Sequence, residues 1–279
     1  MHKIIAAFDG LNYKKATSDY AIAISDKING YVAGVFLDDN TYTSYKVYQL
    51  ILDNGVSEKK LKAYKENDHQ KRLLASKQFD DECKEKGIPH AIHHDKRVAL
   101  VDLLHESIFA DLLIINNQES FSHHSVDFPS GFIKGLLTDT QCPVLLVPSV
   151  YRPIEKIIFL FDGTTNSVFA QKMFNALFTN FQNLPIEVIS IKSMESDMHV
   201  PENTLLKEWL NRHYKKITYT VLKGIPEVEI LHHLYNEHSH SVIVLGAYRR
   251  SMLSRWFKSS IADDLIKEIQ MPLFIAHNK

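Results

Sequence analysis

The sequence predicts two consecutive α/β domains, each with a mainly parallel sheet covered by helices on both faces. Two observations carry this prediction: short apolar runs alternate with longer segments of helical period, and the whole pattern occurs twice. Continuous apolar runs without alternation are typical of strands buried on both faces of a parallel sheet. We therefore expect two doubly wound, Rossmann-like domains of about five strands each.

The predicted strands are the apolar runs, five in each half of the chain. In the first half they are 4–8, 31–37, 90–94, 112–115 and 144–147, and in the second half 157–161, 186–191, 217–222, 242–245 and 273–276. The helix-period segments between them provide the crossovers, which are right-handed in nearly all such units.

The repeat itself is visible in three pairs of segments, each with an apolar run and a similar ending. The pairs are HKIIAAFDG (2–10) with EKIIFLFDG (155–163), ADLLIINN (110–117) with HSVIVLGA (240–247), and QCPVLLVPS (141–149) with QMPLFIAHN (270–278). Repeats of this length indicate duplicated domains. Because two prolines bracket the linker VPSVYRP, we place the domains at 1–149 and 153–279.

The first half carries about 23 more residues in its middle than the second, a common drift of loop length between related units. The extra segment, roughly 42–86, is rich in Lys, Glu and Tyr. Its apolar positions Leu61, Tyr64, Leu74 and Phe79 predict a helix that packs on the domain surface. A docking face for a partner protein is the alternative.

Composition excludes several classes of protein. A net charge of -1 argues against a general nucleic-acid binder, which needs a broad basic surface. No apolar stretch is long enough to span a bilayer, and the N-terminal apolar run is too short for a signal peptide. Cys83 and Cys142 form no CxxC pair, so a disulfide framework is not expected. We expect a cytoplasmic protein without nucleic-acid or membrane partners.

Asp9 and Asp162 end the first predicted strand of each domain, where doubly wound sheets bind their ligands. A carboxylate there can accept hydrogen bonds from a ribose or an adenine amino group. The Asp-Gly pair also suits a tight turn in which the aspartate caps the next helix. Both interpretations remain open for each residue.

A second motif follows the fourth strand of the second half, in GAYRRSMLSRWFKSSIADDL (246–265). This half resembles the universal stress protein family, whose nucleotide-binding members carry G-x2-G-x9-G-[ST] at this place. Gly246 stands at the first glycine, Arg249 at the second, Ser259 at the third and Ser260 at the Ser/Thr, with the nine-residue spacing intact. With the openings, the KGIP turn and the closing strands, the resemblance covers nearly the whole chain as two tandem copies.

The resemblance implies an adenine nucleotide such as ATP, accompanied by Mg²⁺, in the second domain of a fold like that of the adenine nucleotide alpha hydrolases. Glycines in such a loop let backbone N–H groups approach phosphates closely, and here arginine side chains offer positive charge instead. The implied site residues are Asp162, Gly163, Ile191, Gly246, Arg249, Arg250, Ser259, Ser260 and Ile261. The alternative is a basic loop that is solvated and binds no nucleotide.

The resemblance also implies that the two domains pair as an intramolecular pseudo-dimer through PVLLVP and PLFIAH, since apolar edge strands would otherwise be exposed. A homodimer and protein partners remain open. In the first half, Asn116 replaces the first glycine, Glu119 stands near the second, and Ser130-Gly131 is inverted relative to the motif. Because Glu119 and Asp127 would repel phosphates, we expect no conventional nucleotide site there.

Catalytic residues and metal ligands are not predicted. The fifteen histidines include three adjacent pairs, but adjacent side chains diverge and make poor chelators, so we expect ordinary surface histidines. Three functions remain open: a non-catalytic stress-response module with or without a nucleotide, an ATP-binding protein with slow ATPase or phosphoryl-transfer activity, and a nucleotide-free interaction scaffold.

Overall fold

The chain forms two compact units, Met1–Cys142 and Pro143–Lys279. The structure, a computed structural model, describes residues 1–38, 47, 58–95, 98–122, 128–194, 199–235, 240–246 and 260–277; for Asp95, Ser260 and Ile261 it describes the backbone alone.

Unit 1 alternates strands and helices along its length. Its described elements are β1 (Lys3–Phe8), α1 (Lys15–Ile28), β2 (Tyr31–Leu37), α2 (Glu58–Glu85), β3 (His90–Asp95), α3 (Ala99–Ser107), β4 (Leu112–Asn116) and α4 (Gly131–Asp139).

The unit 1 sheet has the strand order β3-β2-β1-β4, and each of its neighbouring pairs is parallel. In β1 and β4, consecutive residues are buried although their side chains alternate between faces, so both faces of the sheet are covered. The order in which successive strands are added across the sheet reverses at β1, because β2 lies on one side of β1 and β4 lies on the other. The carboxyl ends of β1 and β4 therefore form a switch point, where doubly wound sheets place their ligands.

Unit 2 repeats this arrangement and begins with an additional strand. Its described elements are β5 (Val144–Val147), β6 (Lys156–Leu160), α5 (Thr165–Leu177), a 3₁₀ turn (Thr179–Phe181), β7 (Ile186–Lys192), α6 (Asn203–His213), β8 (Ile217–Lys223), α7 (Pro226–Tyr235), β9 (Ser241–Gly246), α8 (Ser260–Glu268) and β10 (Leu273–Ala276).

Within unit 2 the strand order is β5-β10-β9-β6-β7-β8. All pairs from β10 to β8 are parallel, while β5 runs antiparallel to β10. The predicted doubly wound α/β fold, with mainly parallel sheets, is confirmed. The compact units divide the chain at Cys142 and Pro143, ahead of the predicted linker at 147–153, because β5 pairs with the last strand of unit 2.

Aromatic side chains fill the core of each unit. In unit 1, Phe8 stacks on Phe36 at 5.0 Å between ring centroids, and Phe79 of α2 packs against both rings. In unit 2, Phe174 of α5 stacks on Phe178 at 4.5 Å and contacts Phe274 of β10 edge-on. Each cluster thus joins a helix to the sheet that it covers.

The extra segment of the first half contains α2, which has 28 residues. Of its predicted packing positions, Phe79 is fully buried, but Leu74 is 65% exposed, so the prediction for Leu74 was wrong. The buried residues Ala75, Phe79 and Cys83 recur every four positions and define the contact face instead. Residues 42–46 and 48–57 of the predicted segment lie outside the described part of the chain.

Helix α2 is long, but many of its residues are charged, so it lacks the apolar surface of a membrane-spanning helix. Throughout the ranges that the structure describes, no helix is both long and apolar enough to cross a bilayer.

Gly34 of β2 gives a direct test of the packing between α2 and the sheet. A Cβ at this position would overlap the Phe79 ring, with 2.7 Å to Cδ1. Gly34→Ala should therefore lower the free energy of unfolding by about 1–3 kcal/mol, measured by chemical denaturation. Gly131→Ala is the matched control, because a Cβ there meets nothing within 4 Å, and its stability should be unchanged or slightly higher. Equal effects of the two substitutions would contradict this packing.

Candidate functional site

Three parallel strands of unit 2 end side by side at the candidate site. β6 lies between β7 and β9, so that Asp162 and Gly163 after β6, Ile191 near the end of β7, and Gly246 at the end of β9 adjoin at one sheet edge. The structure thus brings together four of the residues that the sequence assigned to an adenine nucleotide. Ile191 is buried and contributes to the floor of this edge.

The Asp162 carboxylate performs a structural task with one oxygen only. Its Oδ1 accepts hydrogen bonds from the Thr164 backbone N–H at 2.9 Å and from Thr164 Oγ1 at 2.7 Å. Thr164 in turn caps α5, since its Oγ1 accepts the Ser167 N–H at 3.4 Å. Among the residues that the structure describes, Oδ2 has no hydrogen-bond partner although it is buried. A buried acceptor without a donor is costly, so a ligand donor at this oxygen would be favourable.

The fold itself favours glycine at both glycine positions of the predicted site. Gly163 has a φ of +81°, a conformation that other residues adopt only with strain. Gly246 lies against the start of α5, where an added Cβ would be 2.6 Å from the carbonyl carbon of Asn166 and 2.7 Å from the backbone nitrogen of Ser167. Gly246 therefore permits close packing between β9 and α5, whether or not a phosphate binds.

The phosphate side of the predicted site falls mostly beyond the described ranges. Arg249, Arg250 and Ser259 lie outside the described residues. The backbone of Ser260 and Ile261 forms the start of α8. The first N–H groups of a helix lack intrahelical partners and carry a partial positive charge, so this helix start is compatible with an anion.

Unit 1 has a different arrangement at the corresponding strand ends. Asp9 follows β1 and is buried, with Oδ1 accepting the Leu11 N–H at 2.8 Å. Glu119, three residues beyond β4, is only 4% exposed, and its Oε1 has no hydrogen-bond partner within the described ranges. Burial and, to a lesser degree, the nearby Asp9 charge raise the pKa of Glu119 to about 8, while Lys14 opposes the shift. Two buried carboxyl groups thus follow the ends of the adjacent strands β1 and β4 at the switch point of unit 1.

A second polar group lies beside the pair, at the ends of β2 and β3. Asp38 binds Arg72 of α2, with 3.3 Å between Oδ1 and Nε, and His94 of β3, with 2.9 Å between Oδ2 and Nδ1. A Cβ on Gly10 would be 2.8 Å from Asp38 Oδ1 and 3.0 Å from Arg72 Cγ. The chain's own side chains therefore occupy the space next to the end of β1.

Sequence reasoning missed both features of unit 1. It treated Glu119 as a charge that repels phosphate, and it did not connect Arg72 with Asp38. The positions of Asp9 and Glu119 in the sequence could have indicated the first feature, because both residues follow adjacent parallel strands of a doubly wound sheet. No comparable signal exists for Arg72, since contacts between a long helix and strand ends depend on the register of packing.

Several histidines pair with single carboxylates. The pairs are His90 with Asp80, His93 with Glu106, His94 with Asp38, and His233 with Glu187, each at 2.9 Å between nitrogen and oxygen. In the described part of the chain, no three His, Cys, Asp or Glu side chains converge as a metal site would require. These histidines act as partners of acidic groups on neighbouring elements.

Solved structures with the same architecture extend over the whole chain. A universal stress protein from Archaeoglobus fulgidus matches with a TM-score of 0.67 and 12% identity, covering 99% of this chain and 96% of that chain. A functionally unknown protein from Pseudomonas aeruginosa matches at 0.61 with 12% identity, covering 99% and 92%. A proposed universal stress protein from the same species matches at 0.59 with 13% identity, covering 99% and 93%.

The sequence identities are only 12–13%, so these matches show a shared fold and nothing finer. No family model matches the sequence, and no curated protein is similar enough to match it. The chain has the fold of universal stress proteins over its full length, and at that level the resemblance found in the sequence is confirmed.

A substitution at Gly246 separates its role in packing from any role in ligand binding. Gly246→Ala would force the start of α5 away from β9, so the free energy of unfolding without any added ligand should fall by about 1–3 kcal/mol. The measurement is denaturation of the ligand-free protein, with Gly131→Ala as the open-space control. An unchanged stability would mean that Gly246 serves a bound phosphate alone.

Proposed function

We propose that this chain is a tandem universal stress protein, a non-catalytic, cytoplasmic stress-response module that binds an adenine nucleotide in unit 2. The observation that carries the proposal is Oδ2 of Asp162, a buried carboxylate oxygen without a donor at the switch point of a doubly wound sheet. A ribose hydroxyl or an adenine amino group supplies such a donor. The full-length likeness in fold to a universal stress protein supports the same assignment.

The residues around Asp162 suit the nucleoside part of the ligand. Gly163 keeps side-chain atoms away from the turn, and the adjoining Ile191 offers an apolar surface at the end of β7. Because Thr164 holds Oδ1, the carboxylate orientation is fixed before a ligand arrives. A preorganised acceptor loses less conformational entropy on binding, which favours affinity.

The phosphates would lie towards the start of α8, beyond Gly246. Arg249 and Arg250 add positive charge between Gly246 and α8 in the sequence, and arginine binds phosphate oxygens through paired N–H groups. Mg²⁺ would accompany ATP through the phosphate oxygens, because this ion prefers oxygen ligands and retains water. The nucleotide thus acts as a ligand that biases the stability of unit 2, and we propose no chemical step for it.

Asp162→Asn tests the site with little damage to the fold. The asparagine Oδ1 still accepts the Thr164 N–H, but an N–H₂ donor replaces the free acceptor Oδ2. We expect wild-type protein to melt at a higher temperature with millimolar ATP and Mg²⁺. In the variant, nucleotide affinity should fall by about ten- to a hundredfold, as for a lost hydrogen bond to a charged group. Isothermal titration calorimetry gives the affinities.

Glu208→Gln is the control, because it removes an exposed carboxylate from α6. Its affinity for ATP should equal that of the wild type. Release of ADP is measured in the same samples. If the wild-type protein hydrolyses ATP and Asp162→Asn does not, the protein is a slow ATPase and the non-catalytic assignment is wrong. If ATP neither shifts the melting temperature nor releases heat, the interaction scaffold is correct and the nucleotide site is wrong.

Arg249→Ala tests the basic sequence after Gly246 separately. Removing one guanidinium from a triphosphate site should weaken ATP about tenfold or more but leave adenosine binding unchanged, because adenosine has no phosphate. Titrations with ATP and adenosine measure the difference. Equal losses for both ligands would contradict a phosphate-facing role.

A further inference from the structure

Strand β8 forms an open edge of the unit 2 sheet. The strand order ends at β8, which pairs with β7 alone among the strands that the structure describes. The residues of β7 are buried up to Ile191, whereas every residue of β8 is partly or fully exposed. A long strand rich in β-branched side chains therefore lies open along one side.

The register with β7 determines which backbone groups of β8 point outwards. A strand residue turns its N–H and its C=O to the same side, and successive residues alternate. The Lys216 carbonyl accepts the Ile186 N–H at 2.8 Å, and the Gly224 N–H donates to the Lys192 carbonyl at 3.4 Å, so the even-numbered residues face β7. The outward N–H and C=O groups belong to the odd-numbered residues, Ile217, Tyr219, Val221 and Lys223.

These outward groups have no hydrogen-bond partner within the described ranges of the chain. Such an edge is a template for one more strand, because an extended polypeptide supplies acceptors and donors at the same spacing. Nucleic acids and lipid surfaces lack this alternation of N–H and C=O groups. The hydrogen-bonding pattern of the edge therefore selects a polypeptide.

Helices flank the edge without closing it. On one face of the sheet, Lys207 of α6 lies over the Tyr219 ring, with 5.1 Å between Nζ and the ring centroid. On the other face, Thr220 donates to Glu187, which also binds His233 of α7. The open edge thus runs between α6 and α7.

Lysines make the amino end of the edge positive. Lys215 and Lys216 directly precede β8 and are exposed, and neither forms an ion pair with a described residue. Lys207 adds a third positive charge beside Tyr219. The carboxyl end is mixed, because Glu229 lies beside Gly224. Positive charge therefore prevails where β8 begins.

Lysines beside an open edge have two physical effects. They keep a second copy of the same edge away, because pairing would bring like charges together. They also attract an acidic strand, whose carboxylates would lie close to them. A second copy is therefore disfavoured as the occupant, whereas an acidic strand satisfies the outward backbone groups and balances the lysines.

We propose that the outer edge of β8 binds an extended acidic segment of a partner protein, which adds a strand to the unit 2 sheet. Main-chain hydrogen bonds to residues 217–223 hold the segment, and Lys207, Lys215 and Lys216 select its acidic side chains. The proposal does not rest on the nucleotide site.

Fluorescence anisotropy with the full-length protein measures the binding of a labelled acidic peptide, DEVTVTVED, and of its basic counterpart, KRVTVTVRK. The acidic peptide should bind about tenfold more tightly, because exposed ion pairs contribute modestly each and like charges repel. Added salt should reduce this preference by screening the charges. Absence of binding, or equal binding of both peptides, would overturn the proposal.

Val221→Pro tests the backbone ladder, because it removes an outward N–H and no donor to β7. Its affinity for DEVTVTVED should fall about three- to tenfold, as for a lost hydrogen bond. Val221→Ala retains the N–H and is the matched control. A variant with Lys215→Glu and Lys216→Glu, both at exposed positions, should prefer the basic peptide. Equal affinities of Val221→Pro and Val221→Ala, or an unchanged charge preference, would contradict the proposal.

Hydrogen exchange followed by NMR locates the bound strand. Saturating DEVTVTVED should slow exchange of the Tyr219 and Val221 amides about tenfold or more, because these become bonded. The Thr218 and Thr220 amides face β7 in the free protein and should change little. Protection without this alternation would refute strand addition. A single-stranded oligonucleotide that binds as well as the acidic peptide would show that the lysines recognise phosphate instead.

Discussion

In each unit an aspartate follows the strand at the switch point, Asp9 after β1 and Asp162 after β6, and the way in which its carboxylate is compensated distinguishes the two units. Burying a charge is costly unless hydrogen bonds or opposite charges offset it. In unit 2, Thr164 satisfies one oxygen of Asp162 and leaves the other without a donor. In unit 1, a second buried carboxyl group, Glu119, lies close enough to Asp9 for the Asp9 charge to raise its pKa. The corresponding positions of the two similar sheets thus differ: in unit 2 a carboxylate oxygen lacks a donor among the described residues, and in unit 1 a second buried carboxyl group follows the neighbouring strand.

The glycine after β9 connects packing to the proposed site. Gly246 lets the first turn of α5 approach the strand, because any side chain would overlap the backbone of Asn166 and Ser167. Thr164 caps that turn and donates to Asp162. The orientation of Asp162 therefore depends on how closely α5 packs against β9. Gly246 therefore supports the proposed site through the scaffold, by permitting this close packing.

Local sequence predicted features that depend on local chemistry. The apolar runs located the strands, and the repeated Phe-Asp-Gly segments located both switch points, because strand burial and tight turns have strong residue preferences. The resemblance implied contact between the segments that form β5 and β10, which do pair, but the repeat placed the domain boundary after β5 whereas the compact units divide the chain ahead of it. The burial of Glu119 and the contact of Arg72 with Asp38 depend on tertiary packing. Such contacts have no periodic signal in the sequence.

The central claim is a division of roles: unit 2 binds an adenine nucleotide, and unit 1 keeps its switch point filled with its own side chains. The stoichiometry of ATP binding to the full-length protein tests this claim most directly. Calorimetric titration should give one nucleotide per chain, with binding weakened in Asp162→Asn and retained in Asp9→Asn. Two nucleotides per chain, or a loss of binding in Asp9→Asn with Asp162→Asn unaffected, would contradict it.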